Sequence, residues 1–278
     1  MSGRAGSSTN LAKSMGPSEM PESGSSGEVS EDLLLGGRLG LLQPKEGYRV
    51  AVDPFLLAAS VDLKPGERVL DLGCGVGGVA LSLLTRKPEC EIVGVEVQES
   101  YAELARRNVV LNGFEERFEV VTHDLTTLPS DWNAGAFDQL VMNPPYLPVE
   151  RGTVSSQQER GPANAEMVGQ LSDWLRRAWL CLRHKGRLTL INRADRLQDI
   201  LVALRDGFGE VSVCAIHPKA DNPANRVLVS ARKGVKSPLQ ILPPLVLHDA
   251  DGNYTDIISE VLRGAPLLRG DGKPIFSP

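Results

Sequence analysis

No run in this sequence approaches the roughly 18 apolar residues that a membrane-spanning helix needs, so no membrane anchor is expected in its 278 residues. The first thirty residues lack the apolar core of a secretory signal. They are rich in Ser and Gly, hold few large apolar side chains, and read as a disordered tail, 1–30, outside the fold. Cysteine is scarce. Cys74, Cys90, Cys181 and Cys214 show no C-x-x-C spacing, and His123, His184, His217 and His248 are equally scattered. This argues against a disulfide framework or a zinc site, so no metal is expected and reduced thiols in the cytoplasm are the simplest reading. A global excess of positive charge is missing too. The formal net charge is −5, which gives no chain-wide nucleic-acid footprint.

The charge that is present is unevenly spread. Arg151 to Arg196 holds nine Lys/Arg against four Asp/Glu, and Arg226 to Lys236 has four basic residues and no acidic one. Such stretches are either solvated helix faces or a local patch that can hold a polyanion.

After the tail, strand-like and helix-like segments alternate. A short apolar helix begins at Asp53–Pro54. Strands are expected at Arg68–Leu72, Glu91–Val97, Phe118–Thr122, Phe137–Met142 and Gly186–Asn192. Helices are expected at Val76–Thr85, Ser100–Leu111, Met167–Leu182 and Arg196–Arg205, the second ending at Asn112–Gly113. Glu210–His217 and Arg226–Arg232 form a closing β-hairpin. The pattern predicts an α/β fold: a doubly wound, Rossmann-like sheet of seven strands with an antiparallel final hairpin. It covers residues 31–236. Residues 237–278 are Pro-rich, with a short helix near Asp256–Leu262, and read as an extension packed on that domain.

The first strand runs into Asp71-Leu72-Gly73-Cys74-Gly75-Val76-Gly77-Gly78. Glycines let the backbone turn sharply and approach a ligand closely, and the following helix presents its N-terminus to it. Gly73, Gly75 and Gly78 also satisfy G-x-G-x-x-G, so a dinucleotide site is an alternative. Asp71 argues against it, because a carboxylate there suits a cationic amino group and repels a pyrophosphate. Glu96 ends the second strand, where two carboxylate oxygens can accept both hydroxyls of a ribose in either kind of site. Asp124 follows the third strand, where an adenine amine would lie. Either of these last two could instead be an ordinary loop carboxylate.

Asn143-Pro144-Pro145-Tyr146 follows the fourth strand, at the carboxyl edge where such sheets bind ligands. The lone pair of an amide or an adenine amine is delocalised and a poor nucleophile. Two carbonyl acceptors, from the Asn143 side chain and the Pro144 backbone, can hold both N–H groups and aim the lone pair. The prolines fix the turn and remove competing donors. Tyr146 can stack on a flat substrate. These features point to transfer of a methyl group from S-adenosylmethionine to a planar nitrogen, by orientation and fixed dipoles. A plain Pro-Pro turn after a strand is the other reading. The polar stretch beginning at Arg151 and continuing through Arg160 would form the pocket rim, with both arginines available to phosphates or bases.

With these motifs in hand, the chain resembles the bacterial adenine-N6 methyltransferases that modify valine transfer RNA beside the anticodon. The likeness spans about residues 32–265. It includes LLQPKEGYRVAVDPFLLAA, DLGCGVG, GVEVQ, ARRNVVLNG, FDQLVMNPPY, PANRVLVSARKG and PLQILPPLVLHDADGNYT. The resemblance implies S-adenosylmethionine as cofactor, held by Asp53, Asp71, Gly73, Gly75, Glu96 and Asp124, with Asn143 bordering it. It also implies a transfer-RNA partner and catalysis at Asn143, Pro144, Pro145 and Tyr146. A protein glutamine methyltransferase and a ribosomal-RNA guanine-N2 methyltransferase would use the same tetrapeptide. A dinucleotide-dependent oxidoreductase and a non-catalytic RNA-binding relative are the readings from other classes. Nothing in the sequence sets the oligomeric state.

Overall fold

The computed structural model describes residues 28–45, 49–87, 89–129, 132, 135–144 and 162–277. Among these, β1 (Val29–Leu34) and β2 (Leu39–Pro44) form an antiparallel hairpin, followed by α1 (Asp53–Ser60). The alternating part comprises β3 (Arg68–Leu72), α2 (Gly78–Arg86), β4 (Glu91–Glu96), α3 (Glu99–Leu111), β5 (Phe118–Thr122) and β6 (Phe137–Met142). It continues through α4 (Pro162–Cys181), β7 (Leu182–Arg193), α5 (Leu197–Leu204), β8 (Phe208–His217) and β9 (Arg226–Lys233). Two-residue strands β10 (Gln240–Ile241) and β11 (Leu245–Val246) and helix α6 (Asp256–Leu262) complete it.

The seven long strands lie in the order β8-β9-β7-β6-β3-β4-β5, and β10 and β11 both add in parallel to β8. Strands β3 to β7 run parallel, and β9 is antiparallel to both neighbours, giving the expected final hairpin. Alternate residues of each strand feed two different cores. Val69, Ile92, Val141 and Leu228 pack with α1, α2 and α6. Leu70, Val93, Leu140 and Val229 pack on the other face with α4 and α5. Burial on both faces explains the unbroken apolar runs of the central strands. Ile258, Val261, Leu267 and Phe276 from the C-terminal segment share the first core with α1, and the Leu267 N–H bonds the Ala59 carbonyl at 2.8 Å.

Helix α4 and strand β7 run longer than expected from the sequence. Helix α4 begins at Pro162, five residues before the expected start, because proline is preset for a first helical turn and lacks only an N–H that would be unbonded there. Strand β7 reaches back to Leu182 through an irregularity at Lys185, whose φ is +63°.

The β1–β2 hairpin, which period-2 reading missed, is strapped to α3 by two asparagines one turn apart. The Asn108 carbonyl oxygen accepts the Leu42 N–H at 2.7 Å, while its amide donates to the carbonyls of Leu42 and Val76, each at 2.9 Å. Asn112 repeats the pattern on Gly40, at 3.0 and 2.8 Å. The two side-chain amides thus pair with alternate residues of β2 as a neighbouring strand would. Asn108 is fully buried. Asn108→Ala would leave three backbone groups unbonded, the buried Val76 carbonyl and the half-buried N–H and carbonyl of Leu42, at roughly 1–3 kcal/mol for a fully buried group. We expect it to cost about 3 kcal/mol, lowering Tm by about 6–12 °C in calorimetry. An unchanged Tm would show that water replaces the amide at no cost.

Candidate functional site

The carboxyl ends of β3, β4 and β6 open into a cleft. The loop after β3 forms its floor. The N–H groups of Gly73 and Cys74 both bond the Val95 carbonyl, at 2.8 and 2.9 Å, which folds the chain back over β4. Gly75 has φ +56°, and a Cβ there would meet nothing within 4 Å, so the bare backbone faces open space that a ligand can fill. Gly73 is glycine for a different reason. Its φ is +71°, and a Cβ would lie 2.6 Å from the ring of Trp174.

Glu96, at the end of β4, is 8% exposed and lines the cleft. One carboxylate oxygen accepts the Gly75 N–H at 3.0 Å and the other accepts the Gln98 N–H at 2.9 Å. The carboxylate therefore fixes the glycine loop to the β4–α3 turn. Each oxygen keeps a second lone pair for a ligand hydroxyl. Next to it, Val97 is 61% exposed yet part of the cleft wall, an apolar surface that a planar ligand would cover.

Asp71 lies in β3 beneath the loop. It is 1% exposed, and neither carboxylate oxygen has a hydrogen bond of normal geometry. Burial pushes its pKa up to about 7, the Ala80 N–H lowers it a little, and the nearby Glu96 charge raises it. A buried carboxylate is costly to charge unless a cation meets it, so Asp71 suits a positively charged ligand group. The sign of its pH effect follows. An acid raised on folding from 3.8 to about 7 stabilises the protein below pH 4, and that contribution is lost as pH rises to 7. A bound cation needs the charged form. We therefore expect cofactor affinity to rise by up to about tenfold per pH unit below pH 7 and then level off. Asp71→Asn should abolish this dependence, raise the Tm of the free protein at pH 8, and weaken binding about tenfold. Calorimetric titration across pH 6–8 checks it; a wild-type affinity that does not change over that range would contradict it.

Across β3 from β4, the register pairs Leu72 with Met142, so Gly73 and Asn143 stand side by side at the sheet edge. Asn143 and Pro144 line the cleft, and the Asn143 side-chain carbonyl oxygen is buried without a hydrogen-bond partner among the described residues. A buried acceptor left unbonded is costly and marks a place where a donor is meant to arrive.

Of the residues singled out in the sequence, Gly73, Gly75, Glu96, Asn143 and Pro144 come together in this cleft, with Asp71 below it. Asp53 is not part of the wall. Its carboxylate pairs with the Arg226 guanidinium at 2.7 Å, while the adjacent Pro54 lines the cleft. Asp124 is solvent-exposed, one residue before Leu125, which does line the cleft. Pro145, Tyr146, Arg151 and Arg160 lie outside the described residues. Sequence reasoning missed Val50, Tyr101 and Trp174 as cleft residues. Trp174 lies on α4, and only the tertiary fold brings it back over Gly73. No group of acidic, His and Cys side chains suited to a metal occurs among the described residues.

A sheet of this order, with a glycine loop, an acidic strand end and an Asn-Pro turn at its carboxyl edge, defines an S-adenosylmethionine-dependent methyltransferase. The bare glycine backbone, the buried carboxyl of Asp71 and the two-oxygen acceptor Glu96 fit that cofactor. The chain belongs to the methyltransferase small domain family, whose model matches residues 52–219. It is 33% identical to the tRNA1(Val) (adenine(37)-N6)-methyltransferase of Aeromonas hydrophila, over 75% of this chain and 86% of that protein. The protein of the same name from Vibrio campbellii is 25% identical, over 79% and 89%. Among solved structures, a predicted O-methyltransferase from Agrobacterium tumefaciens is similar, with a TM-score of 0.66 and 28% identity. The match covers 78% of this chain and 99% of that one.

Proposed function

We propose that this methyltransferase acts on the N6 amine of an adenine in transfer RNA, as the names of its relatives state for those proteins, and that this adenine lies beside the anticodon. The observation that carries the reading is the buried, unbonded carbonyl oxygen of Asn143 at the cleft. An exocyclic amine supplies two N–H donors in one plane. The Asn143 side chain accepts one and the Pro144 backbone carbonyl is the natural acceptor for the other. Neither Pro144 nor Pro145 has an N–H to compete. Holding both hydrogens bends the nitrogen toward a tetrahedral shape and aims its lone pair at the cofactor.

When bound, S-adenosylmethionine would supply a methyl group on a cationic sulfur, which would keep the S–C electron pair as the nitrogen gains the methyl and loses its surplus proton to water. Asp71, Glu96 and the backbone at Gly73 and Gly75 hold the cofactor. The target base must leave its stack to reach the cleft, which is easiest in an anticodon loop. Tyr146, Arg151 and Arg160 belong to this reading as base stacker and RNA rim, and Asp53 and Asp124 as outer cofactor contacts. Residues 31–236 form the catalytic domain and 237–278 an extension packed on it. No helix among the described residues is long and apolar enough to cross a membrane, and a cytoplasmic location goes with the proposed transfer-RNA substrate. Incubation with methyl-labelled cofactor and either total RNA or total protein tests the reading. Label in the RNA fraction supports it, and label confined to protein overturns it.

A further inference from the structure

We infer that Trp174 is a specificity residue of the cofactor cleft, a ring placed beside the reacting sulfur that favours the cationic cofactor over its neutral product. Three observations place it. The six-membered edge of its ring lies 2.6–3.0 Å from where a Cβ on Gly73 would stand. Gly73 and Asn143 are neighbours across β3 and β6, one residue past the Leu72–Met142 pair. Trp174 lines the same cleft as Asn143 and Pro144. It is also anchored, packing against the apolar core between the sheet and α4 and α5.

The methyl group must pass within reach of the amine held by Asn143. Trp174, resting on the adjacent Gly73, therefore borders that point. The face of an aromatic ring attracts a cation through its quadrupole, tryptophan most strongly, and the edge does not, so the inference requires that a face of Trp174, and not the edge that meets Gly73, be turned to the sulfur. S-adenosylmethionine and S-adenosylhomocysteine share their amino group, carboxylate, ribose and adenine. They differ only in one methyl and in the charge on sulfur. Asp71 and Glu96 act on the shared groups, so a residue that discriminates between the two must act at sulfur. The positively charged donor would be held more firmly than its uncharged product, which limits product inhibition. The requirement for glycine at position 73 follows as well, since any side chain there would displace the ring.

The inference rests on Asn143 marking the transfer point. Dissociation constants for both compounds, measured by calorimetry on wild type, Trp174→Leu and Trp174→Phe, test it. Trp174→Leu is expected to weaken S-adenosylmethionine about fivefold more than S-adenosylhomocysteine, and Trp174→Phe about twofold more. Equal losses for the two compounds, or none, would overturn the inference and reduce Trp174 to packing. If Trp174→Leu does not fold, the ratio for Trp174→Phe decides alone. The affinity ratio is read without an acceptor. An unchanged ratio in an enzyme that still methylates transfer RNA refutes only the role of Trp174. A shifted ratio in an enzyme that labels another acceptor refutes only the proposed substrate.

Discussion

Asn143→Ala is expected to lose at least about 100-fold in turnover while its affinity for S-adenosylmethionine changes by less than about threefold. The reason lies in where its carbonyl oxygen points. It is buried at the cleft with no hydrogen-bond partner among the described residues, so its loss breaks no hydrogen bond described for that oxygen. One oriented dipole acting on a developing charge is worth roughly 2.7–4 kcal/mol of barrier, or about two to three powers of ten. Removing an unbonded acceptor should even relieve a small cost in the free enzyme, so Tm should hold or rise slightly. Single-turnover rates and calorimetric titration separate the two effects. Near-normal turnover with unchanged affinity would remove Asn143 from the chemistry.

Glu96→Ala is expected to weaken cofactor binding by about 10- to 100-fold, since charge-assisted hydrogen bonds contribute roughly 1.5–3 kcal/mol. The geometry adds a second consequence. Because the carboxylate also receives the N–H groups of Gly75 and Gln98, its loss loosens the glycine loop as well as removing the ribose acceptor. Glu96→Gln should therefore fall between wild type and Ala: one amide oxygen can replace one acceptor, while the NH₂ group faces an N–H donor it cannot pair with. An affinity for Glu96→Ala equal to wild type would make the carboxylate a loop brace alone.

The central sheet was legible because burial on both faces forces continuous apolar strands, and RVLDL, EIVGVE and FDQLVM carry that signature without ambiguity. The glycine loop and the Asn-Pro turn were legible because each needs particular residue types at fixed places along the chain. What escaped was whatever depends on chain segments far apart in sequence. The β1–β2 hairpin owes its position to Asn108 and Asn112, side chains that pattern reading sees only as helix-end residues. Trp174 reads as one more apolar position of an amphipathic helix, and only its contact with Gly73 distinguishes it. Asp53 pairs with Arg226, 173 residues further along the chain. Spacing within one segment cannot reveal such a pair.

The central claim is that the acceptor is an adenine amine of transfer RNA, and the modified nucleoside itself tests it most directly. An unmodified valine transfer-RNA transcript is incubated with the enzyme and S-adenosylmethionine, then digested and analysed by mass. The account predicts N6-methyladenosine at position 37, the position in the relatives' names, and none when that adenine is replaced by guanine. A methyl group found instead on a protein glutamine, or on guanine N2 of ribosomal RNA, would contradict it.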